Sequence, residues 1–561
     1  MWRGIIAFIR KNHVSLFFFT WFLLSLIQAY GTELIDDEAY YWVYSKYPAW
    51  GYFDHPPMIA ILIRSGYAMF HNEFGLRLWM SVLSTCTLVL IYRLIPRKND
   101  GLFYAIACTI CLLQIGGILA VPDLPLMFFA ALFFIAYEKF TRNMSYGNAT
   151  FLGVVMALLL YTKYHGILII VFTFFSNPVL AIKFKAYLAA GIGALLFLPH
   201  LYWQYTHGFP SVQYHLLGRN ASEYQFGFTL QYLLGQLLLP GPLTGWLLLW
   251  AAFKYRATNE LERSLKFCMA GIYIFFLAST IKGRVEANWT LPALIPLIVL
   301  SHQYLINKEQ WKRILIWFVP VNLLLIFFMR LYMLFNMAPL KFMSKDEFHK
   351  NQQWAESIYK KTQGLPVVFI NSYQKASKYW FYSGVPSFSL NTPFYRRNNY
   401  NYWPVEDSLF GKRVAAISGY AYDYYKDRME TVKGTTGLLI VDSFYSFSKL
   451  QIITLKNPVS INEKISGCRL HILTPISYLE TFQTSRFLNS TVDLLVFTTE
   501  TKTRNFSTGI RLADISKPAQ DIVCSFKLDL PRGEYMACFS LPTSLVIDPS
   551  LNSTLFKLLV R

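Results

Sequence analysis

Residues 15–57 read SLFFFTWFLLSLIQAYGTELIDDEAYYWVYSKYPAWGYFDHPP. Residues 15–30 are an almost unbroken apolar run, close to the roughly 20 residues that carry a helix across a bilayer. Three acids follow at once (Asp36, Asp37 and Glu38), then a dense set of aromatics, then Asp54 and His55 in front of two prolines. Paired prolines stop a helix and restrict the backbone before them, so Asp54 and His55 sit on a stiff corner. Taken alone that corner reads as a surface turn. Beside a membrane span it becomes a fixed polar feature at a lipid boundary.

The rest of the chain supports the span. Of 561 residues 54% are hydrophobic and 17% aromatic, and the mean hydropathy is +0.33. Charged residues make up 15%, against roughly 25% in soluble domains. The apolar runs, such as LMFFAALFFIAY (126–137) and ILIWFVPVNLLLIFFM (314–329), lie between residues 14 and 335. From residue 341 they shorten and alternate with polar residues. The expected fold is mainly α and polytopic, with about eleven transmembrane helices near 14–30, 76–96, 102–120, 124–140, 149–161, 165–181, 186–204, 228–252, 265–281, 289–306 and 313–335. The first run lacks a small-residue cleavage site and reads as a span rather than a signal peptide.

A net charge of +20 invites a nucleic-acid reading, but topology accounts for much of it. Alternate loops carry Arg93, Arg97 and Lys98, then Lys139 and Arg142, then Lys183 and Lys185. Lys254, Arg256, Arg263 and Lys266 follow, and then Lys308, Lys312 and Arg313. The positive-inside rule makes that side cytoplasmic, together with the N-terminus. No nucleic-acid partner is expected. The seven cysteines form no disulfide framework. Cys86, Cys108, Cys111 and Cys268 read as core residues of spans, while Cys468, Cys524 and Cys538 leave room for one bridge and dictate no pairing. No Cys/His spacing resembles a zinc site.

The chemically unusual residues then collect on the outer side. The first outer loop holds the acids and the corner, followed by an amphipathic segment (58–75) suited to the interface. The others hold AVPDLPLMF (120–128), YTKYHGIL (161–168), the stretch 200–227 and IKGRVEANWTLPAL (281–294). Each has a plain structural explanation. The acids 36–38 suit a helix N-terminus, and Asp123 suits the cap of a span. Lys163, His165, Lys282 and Arg284 suit snorkelling to headgroups, and the tyrosines and tryptophans an interfacial belt. Their restriction to one face favours a site instead. A carboxylate can accept a proton from an incoming hydroxyl or amine, fixed cations stabilise a departing phosphate, and aromatic rings flank sugars and isoprenoid chains. A lipid-borne phosphosugar needs all three. No glycine-rich phosphate loop points to a soluble nucleotide sugar.

DDEAYYWVYSKYPAWGYFDHPP, VPDLPLMFF, YTKYHG and NWTLPA together resemble the multi-spanning C-type glycosyltransferases, in the branch of the dolichyl-phosphate-mannose–protein mannosyltransferases and the lipid A aminoarabinose transferase. The resemblance covers about the first 340 residues and, more loosely, the segment to residue 420. It implies an inverting transferase that uses a polyprenyl-phosphate sugar donor on the extracytoplasmic face of a cell membrane, the inner membrane in a bacterium. The acceptor would be an envelope lipid, glycan or protein. The family's Asp-Glu pair falls on Asp37 and Glu38, with Asp37 as general base or acceptor-orienting acid, and its second-loop acid falls on Asp123. The donor phosphate falls to His55, Lys163, His165 and Arg284. Tyr40, Tyr41, Asp54, Glu286, Asn288 and Trp289 complete the substrate-binding set. His55 departs from the lysine of the aminoarabinose enzyme, and neutral imidazole binds phosphate less firmly. Members can hold a divalent cation near this loop, which would fall on Asp54 and His55; no other cofactor is implied.

The sequence divides into a transmembrane domain (1–340), an α/β subdomain (341–446) and a β-sandwich-like domain (447–561), the last two expected outside the cell membrane. LPVVFINSYQKASKYWFYSG reads as strand, loop and helix, and KLQIITL, CRLHILTPI, VDLLVFTTE, VCSFKLDL and YMACFSL read as short strands. A flippase or transporter of a lipid-linked glycan is the alternative function. Such proteins set ionisable groups near the midplane within inverted repeats, a pattern missing from this sequence. A non-catalytic scaffold for envelope glycan assembly is a third reading, separable by replacing Asp37.

Overall fold

The structure is a computed structural model. It describes all residues except 1, 216–223, 338–345, 421–423, 426, 455–458, 461–463, 500–501 and 546. It divides into two compact units, Met1–His349 and Lys350–Arg561. The expected boundary at 340/341 lies outside the described residues, as do parts of the fourth outer loop and of the exit loop.

The first unit is helical. Among the described residues five helices are long and apolar enough to cross a membrane: Arg10–Gly31, Glu73–Leu94, Asp123–Arg142, Phe184–Thr206 and Glu309–Leu334. A sixth candidate, Asp100–Thr109 with Cys111–Ile118, is bent by 76°. The eleven expected spans are thus not eleven long helices. Tyr146–Thr162 and Gly166–Ser176 are shorter apolar helices, and the stretch 228–252 is split into Phe226–Leu238 and Gly245–Lys254. The split has a local cause. Pro240, Gly241 and Pro242 interrupt the ladder, and Gly241 takes φ 132°, where a Cβ would lie 2.6 Å from the carbonyl of Thr109. Thr109 is itself the last residue of the bent helix.

Burial separates central from peripheral helices. Two thirds of the apolar window of Asp123–Arg142 is buried, against 17% for both Phe184–Thr206 and Glu309–Leu334. The first therefore runs through the core, which includes Leu126, Ala130, Phe134 and Tyr137 together with Leu265, Leu294 and Leu297. The other two keep apolar side chains such as Leu195, Leu198, Trp317 and Phe328 exposed, as lipid-facing helices do. Asn72, Asn99, Ser145 and Asn259 each accept a backbone N–H at a helix start, which fixes where the helices begin.

The second unit opens with the helix Asn351–Thr362. Its first sheet has β1 (Val367–Ile370), β2 (Ser387–Leu390), β3 (Val414–Ser418), β4 (Asp427–Thr431) and β5 (Gly434–Val441) in the order β2-β1-β3-β5-β4. β1 runs parallel to β2 and β3, with the helix Tyr373–Ser383 joining β1 to β2. The remaining strands are β6 (Gln451–Thr454), β7 (Val459–Ser460), β8 (Lys464–Leu473), β9 (Thr491–Phe497), β10 (Thr503–Arg511), β11 (Ala519–Lys527), β12 (Gly533–Leu541), β13 (Ser550–Leu551) and β14 (Phe556–Val560). They form one sheet in the order β10-β9-β12-β14-β7, with β13 beside β12, and a second in the order β11-β8-β6. Leu470, Ile472 and Phe526 of one sheet share a core with Leu494, Val496 and Phe539 of the other.

Candidate active site

The helix Asp36–Lys46 begins directly after the first span, and its first turn holds all three acids. They have different fates. Glu38 is fully buried, and both its oxygens are engaged by Arg77, with Nε–Oε1 at 2.6 Å and NH2–Oε2 at 2.5 Å. Oε2 also accepts the N–H of Ile35 at 3.1 Å, and Oε1 accepts that of Ala120 at 2.8 Å. Arg77, equally buried, donates further to the carbonyls of Ala29, Thr32 and Glu33. A carboxylate so occupied does not accept a substrate proton. Glu38, expected as a catalytic partner of Asp37, ties the start of the helix Asp36–Lys46 to Arg77 and to the backbone of Ala120. Asp36 is buried too, whereas Asp37 between them is partly exposed.

Ala120 lies three residues before Asp123, at the start of the helix Asp123–Arg142. Asp123 is buried, with Oδ1 accepting from Lys163 Nζ at 2.8 Å and Oδ2 from Asn288 Nδ2 at 3.2 Å. Three residues named from three separate loops thus converge. Lys163 is also buried and ion-paired, so it does not snorkel to headgroups. His165 packs its ring against Trp289 (centroids 5.4 Å apart) and Phe276 (5.1 Å). Arg284 and Glu286 form a looser, exposed pair at 3.8 Å.

At the Pro-Pro corner the Tyr44 hydroxyl donates to Asp54 Oδ1, and the Tyr41 hydroxyl bonds His55 Nε2 at 3.0 Å. Burial, with the Asp54 charge beside it, pushes the Tyr44 phenol well above its ordinary pKa, so it keeps its proton for that bond. Tyr40 and Tyr41 are buried and pack edge-on against Tyr44. Among the described residues no group of three or more His, Cys, Asp or Glu side chains is placed to hold a metal ion.

The corner is held from its other side by residues that the sequence did not single out. His200 Nδ1 bonds the carbonyl of Trp50 at 2.8 Å, Ser211 Oγ donates to that of Tyr52 at 2.9 Å, and His215 Nε2 bonds that of Asp54 at 3.0 Å. Gly51 admits this approach, since a Cβ there would lie 2.5 Å from the Trp203 ring. The Tyr164 hydroxyl donates to Ser211 Oγ at 2.8 Å and contacts His200 Nε2 at 3.1 Å, while Gln204 donates to both Tyr164 and Ser211. A ring of contacts results. The helix Asp36–Lys46 reaches the Asp123 loop through Glu38, that loop reaches Lys163, Tyr164 reaches the 200–215 segment, and that segment returns to the corner. Arg77 left one trace in the sequence, a lone cation at the head of an apolar span. His200 and Gln204 left another, two polar residues four apart on a single helix face.

Comparison with known proteins agrees with the resemblance drawn from the motifs. Residues 54–203 match the dolichyl-phosphate-mannose-protein mannosyltransferase family. The lipid A galacturonosyltransferase RgtD of Rhizobium johnstonii is 22% identical over 297 residues, 50% of this chain and 63% of that protein. The match thus spans less than two thirds of that relative's length. Crystal structures of ArnT from Cupriavidus metallidurans, in the apo state and bound to undecaprenyl phosphate, share the fold. Their TM-scores are 0.57 and 0.56, at 12% identity, covering 77% of this chain and 98% of theirs. The chain is similar to the C-type glycosyltransferases, a membrane-protein class, in sequence motifs and in fold.

Proposed function

We propose, from this likeness and from the ring of outer-loop contacts, a membrane glycosyltransferase that moves a sugar from a polyprenyl-phosphate donor to an envelope acceptor, a lipid, glycan or protein. The reaction takes place on the extracytoplasmic face. The acceptor oxygen or nitrogen attacks the anomeric carbon from the side opposite the phosphate. The bond from that carbon to the phosphate oxygen breaks, the polyprenyl phosphate leaves with the electron pair, and the anomeric configuration inverts.

Asp37 takes the proton of the acceptor nucleophile. It is the one acid of the first turn that is partly exposed. That contrast among Asp36, Asp37 and Glu38 is the observation that carries the reading. Lys163 meets the donor phosphate, and Asp123 with Asn288 holds it in place for that purpose. His165 on Trp289, with Arg284 and His55, lines the rest of the phosphate's surroundings. The fixed cation acts on charge that grows as the phosphate departs.

The test is in-membrane transfer from a labelled polyprenyl-phosphate sugar, at equal protein level. Asp37→Asn is expected to abolish transfer while keeping donor binding, because Asn preserves shape and cannot take the proton. Full activity of Asp37→Asn would remove the base assignment. Translocation of a lipid-linked glycan without sugar transfer by the wild-type protein would establish the flippase instead.

A further inference from the structure

We propose that Cys468 and Cys524 are joined by a cross-strand disulfide that ties β8 to β11. This rests on the extracytoplasmic placement of the second unit, since that side of a cell membrane is where disulfides form and persist.

The two residues are direct register partners in the antiparallel β8·β11 pair. Opposite residues in such a pair have Cα atoms roughly 4.5–5.5 Å apart, inside the 4.4–6.8 Å or so that a disulfide spans. Both side chains point the same way. Cys468 alternates with Leu470 and Ile472 on the buried face, and Cys524 with Phe526, all in one core. The Cys524 thiol lies 3.6 Å from the Cys468 carbonyl oxygen. The register shifts immediately beyond Cys524, and such an irregularity gives a strand local freedom to adjust. The two thiols are close enough to hydrogen-bond. That bond draws the Cys468 pKa below its ordinary value and, with burial, pushes that of Cys524 up.

One of the two cysteine thiolates attacks a disulfide-class oxidant of the outer compartment, one oxidant sulfur leaves as a thiolate, and a mixed disulfide remains. The other cysteine then loses its proton and attacks the sulfur of the first, releasing the second oxidant thiol. Two electrons and two protons pass to the oxidant, which departs as a dithiol. Both cysteines are buried in the finished fold, so the bond forms before the two sheets close on each other. β11 is an edge strand of its sheet, which leaves its partner face approachable until then. Cys538 is no substitute. It lies on β12 in the other sheet, opposite Leu495, in a separate small cluster with Leu551.

The experiment uses the full-length protein, extracted from membranes with N-ethylmaleimide present and digested without reductant. Mass spectrometry is expected to find one linked peptide pair holding Cys468 and Cys524, lighter by two hydrogens than the sum of the free peptides, with Cys538 alkylated. Reductant should lower the wild-type melting temperature by a few degrees and leave Cys468→Ser and Cys524→Ser unchanged. A reporter fused after Arg561 reads topology separately. Free thiols at 468 and 524, or a bridge to Cys538, with the reporter outside would overturn the disulfide alone. Free thiols with the reporter inside would overturn the placement and the disulfide with it.

Discussion

Adjacent carboxylates in one helical turn have opposite roles because their surroundings differ. Glu38 sits at the third helical position and reaches back to the N–H of Ile35, one half of a capping box. Its other contacts bind it to Arg77 and Ala120. Breaking a buried ion pair by removing one partner costs about 3–5 kcal/mol, since the remaining charge stays uncompensated. Glu38→Gln is therefore expected to lower the melting temperature in detergent, and Asp37→Asn to leave it unchanged while losing transfer. Asp36→Asn should fall between wild type and Asp37→Asn in activity. Equal stability of Glu38→Gln and wild type would return Glu38 to the list of candidate catalytic groups. Lys163 calls for a different comparison. Lys163→Ala leaves Asp123 buried without its cation, so it should lose both stability and donor affinity. Adding Asp123→Asn should restore stability without restoring the apparent KM for donor, with a coupling of about 0.5–3 kcal/mol between the sites. Recovery of both properties would make the pair purely structural.

Among the elements, the Pro-Pro corner depends on the segment at and after the end of Phe184–Thr206. Alternate carbonyls at 50, 52 and 54 each accept a side-chain bond from it. A buried hydrogen bond lost from one side costs about 1–3 kcal/mol. Ser211→Ala should weaken the corner by that order and leave Tyr164 and Gln204 without a shared partner. Gly51→Val should be worse, because Trp203 and His200 occupy the space a side chain would need. Both changes are expected to raise the acceptor or donor KM more than they lower the melting temperature of the whole protein. Proteolysis at the corner, compared between variants and wild type, is the direct measurement. Unchanged cleavage and kinetics in both would show that the corner's prolines hold it unaided. The broken stretch 228–252 shows a second dependence of this kind. The sequence reading took 228–252 as one span across Pro240 and Pro242, and the approach of Thr109 to Gly241 involves a residue more than 100 positions away in sequence.

For the whole molecule the testable claim is orientation. By the positive-inside rule the basic loops on one side would set the N-terminus in the cytoplasm and the second unit outside. Reporter fusions in the loops at 98, 142 and 256 should score cytoplasmic, and fusions after 363 and 561 extracytoplasmic. The reverse pattern would place the acids, Lys163 and the corner on the wrong side for a lipid-phosphate donor flipped outward, and the proposed reaction would fall with it. The second unit buries acids such as Glu406, whose proton affinity burial raises even as Ser446, Ser448 and Tyr478 donate to it. Such a group binds more protons folded than unfolded, so its contribution weakens as pH rises from the ordinary carboxylate range through its raised value.

Composition and periodicity by themselves determined that the chain is a helical membrane protein with a strand-rich C-terminal part. Apolar runs and alternating strands are local signals, and partition between lipid and water acts on each segment separately. The sequence also named Asp123 and Lys163, because ionisable groups are costly at a span's end unless they are used, and the family resemblance added Asn288. Tertiary structure alone decided which acid is buried against Arg77 and which is partly exposed. Glu38 and Asp37 are neighbours with nearly identical chemistry, and only Arg77, 39 positions away, and Ala120 separate them. The same holds for Tyr44, His200, Ser211 and His215. Each is an unremarked polar residue until folding sets it against a carbonyl or carboxylate of the corner, because a hydrogen bond depends on a distance that sequence spacing does not fix.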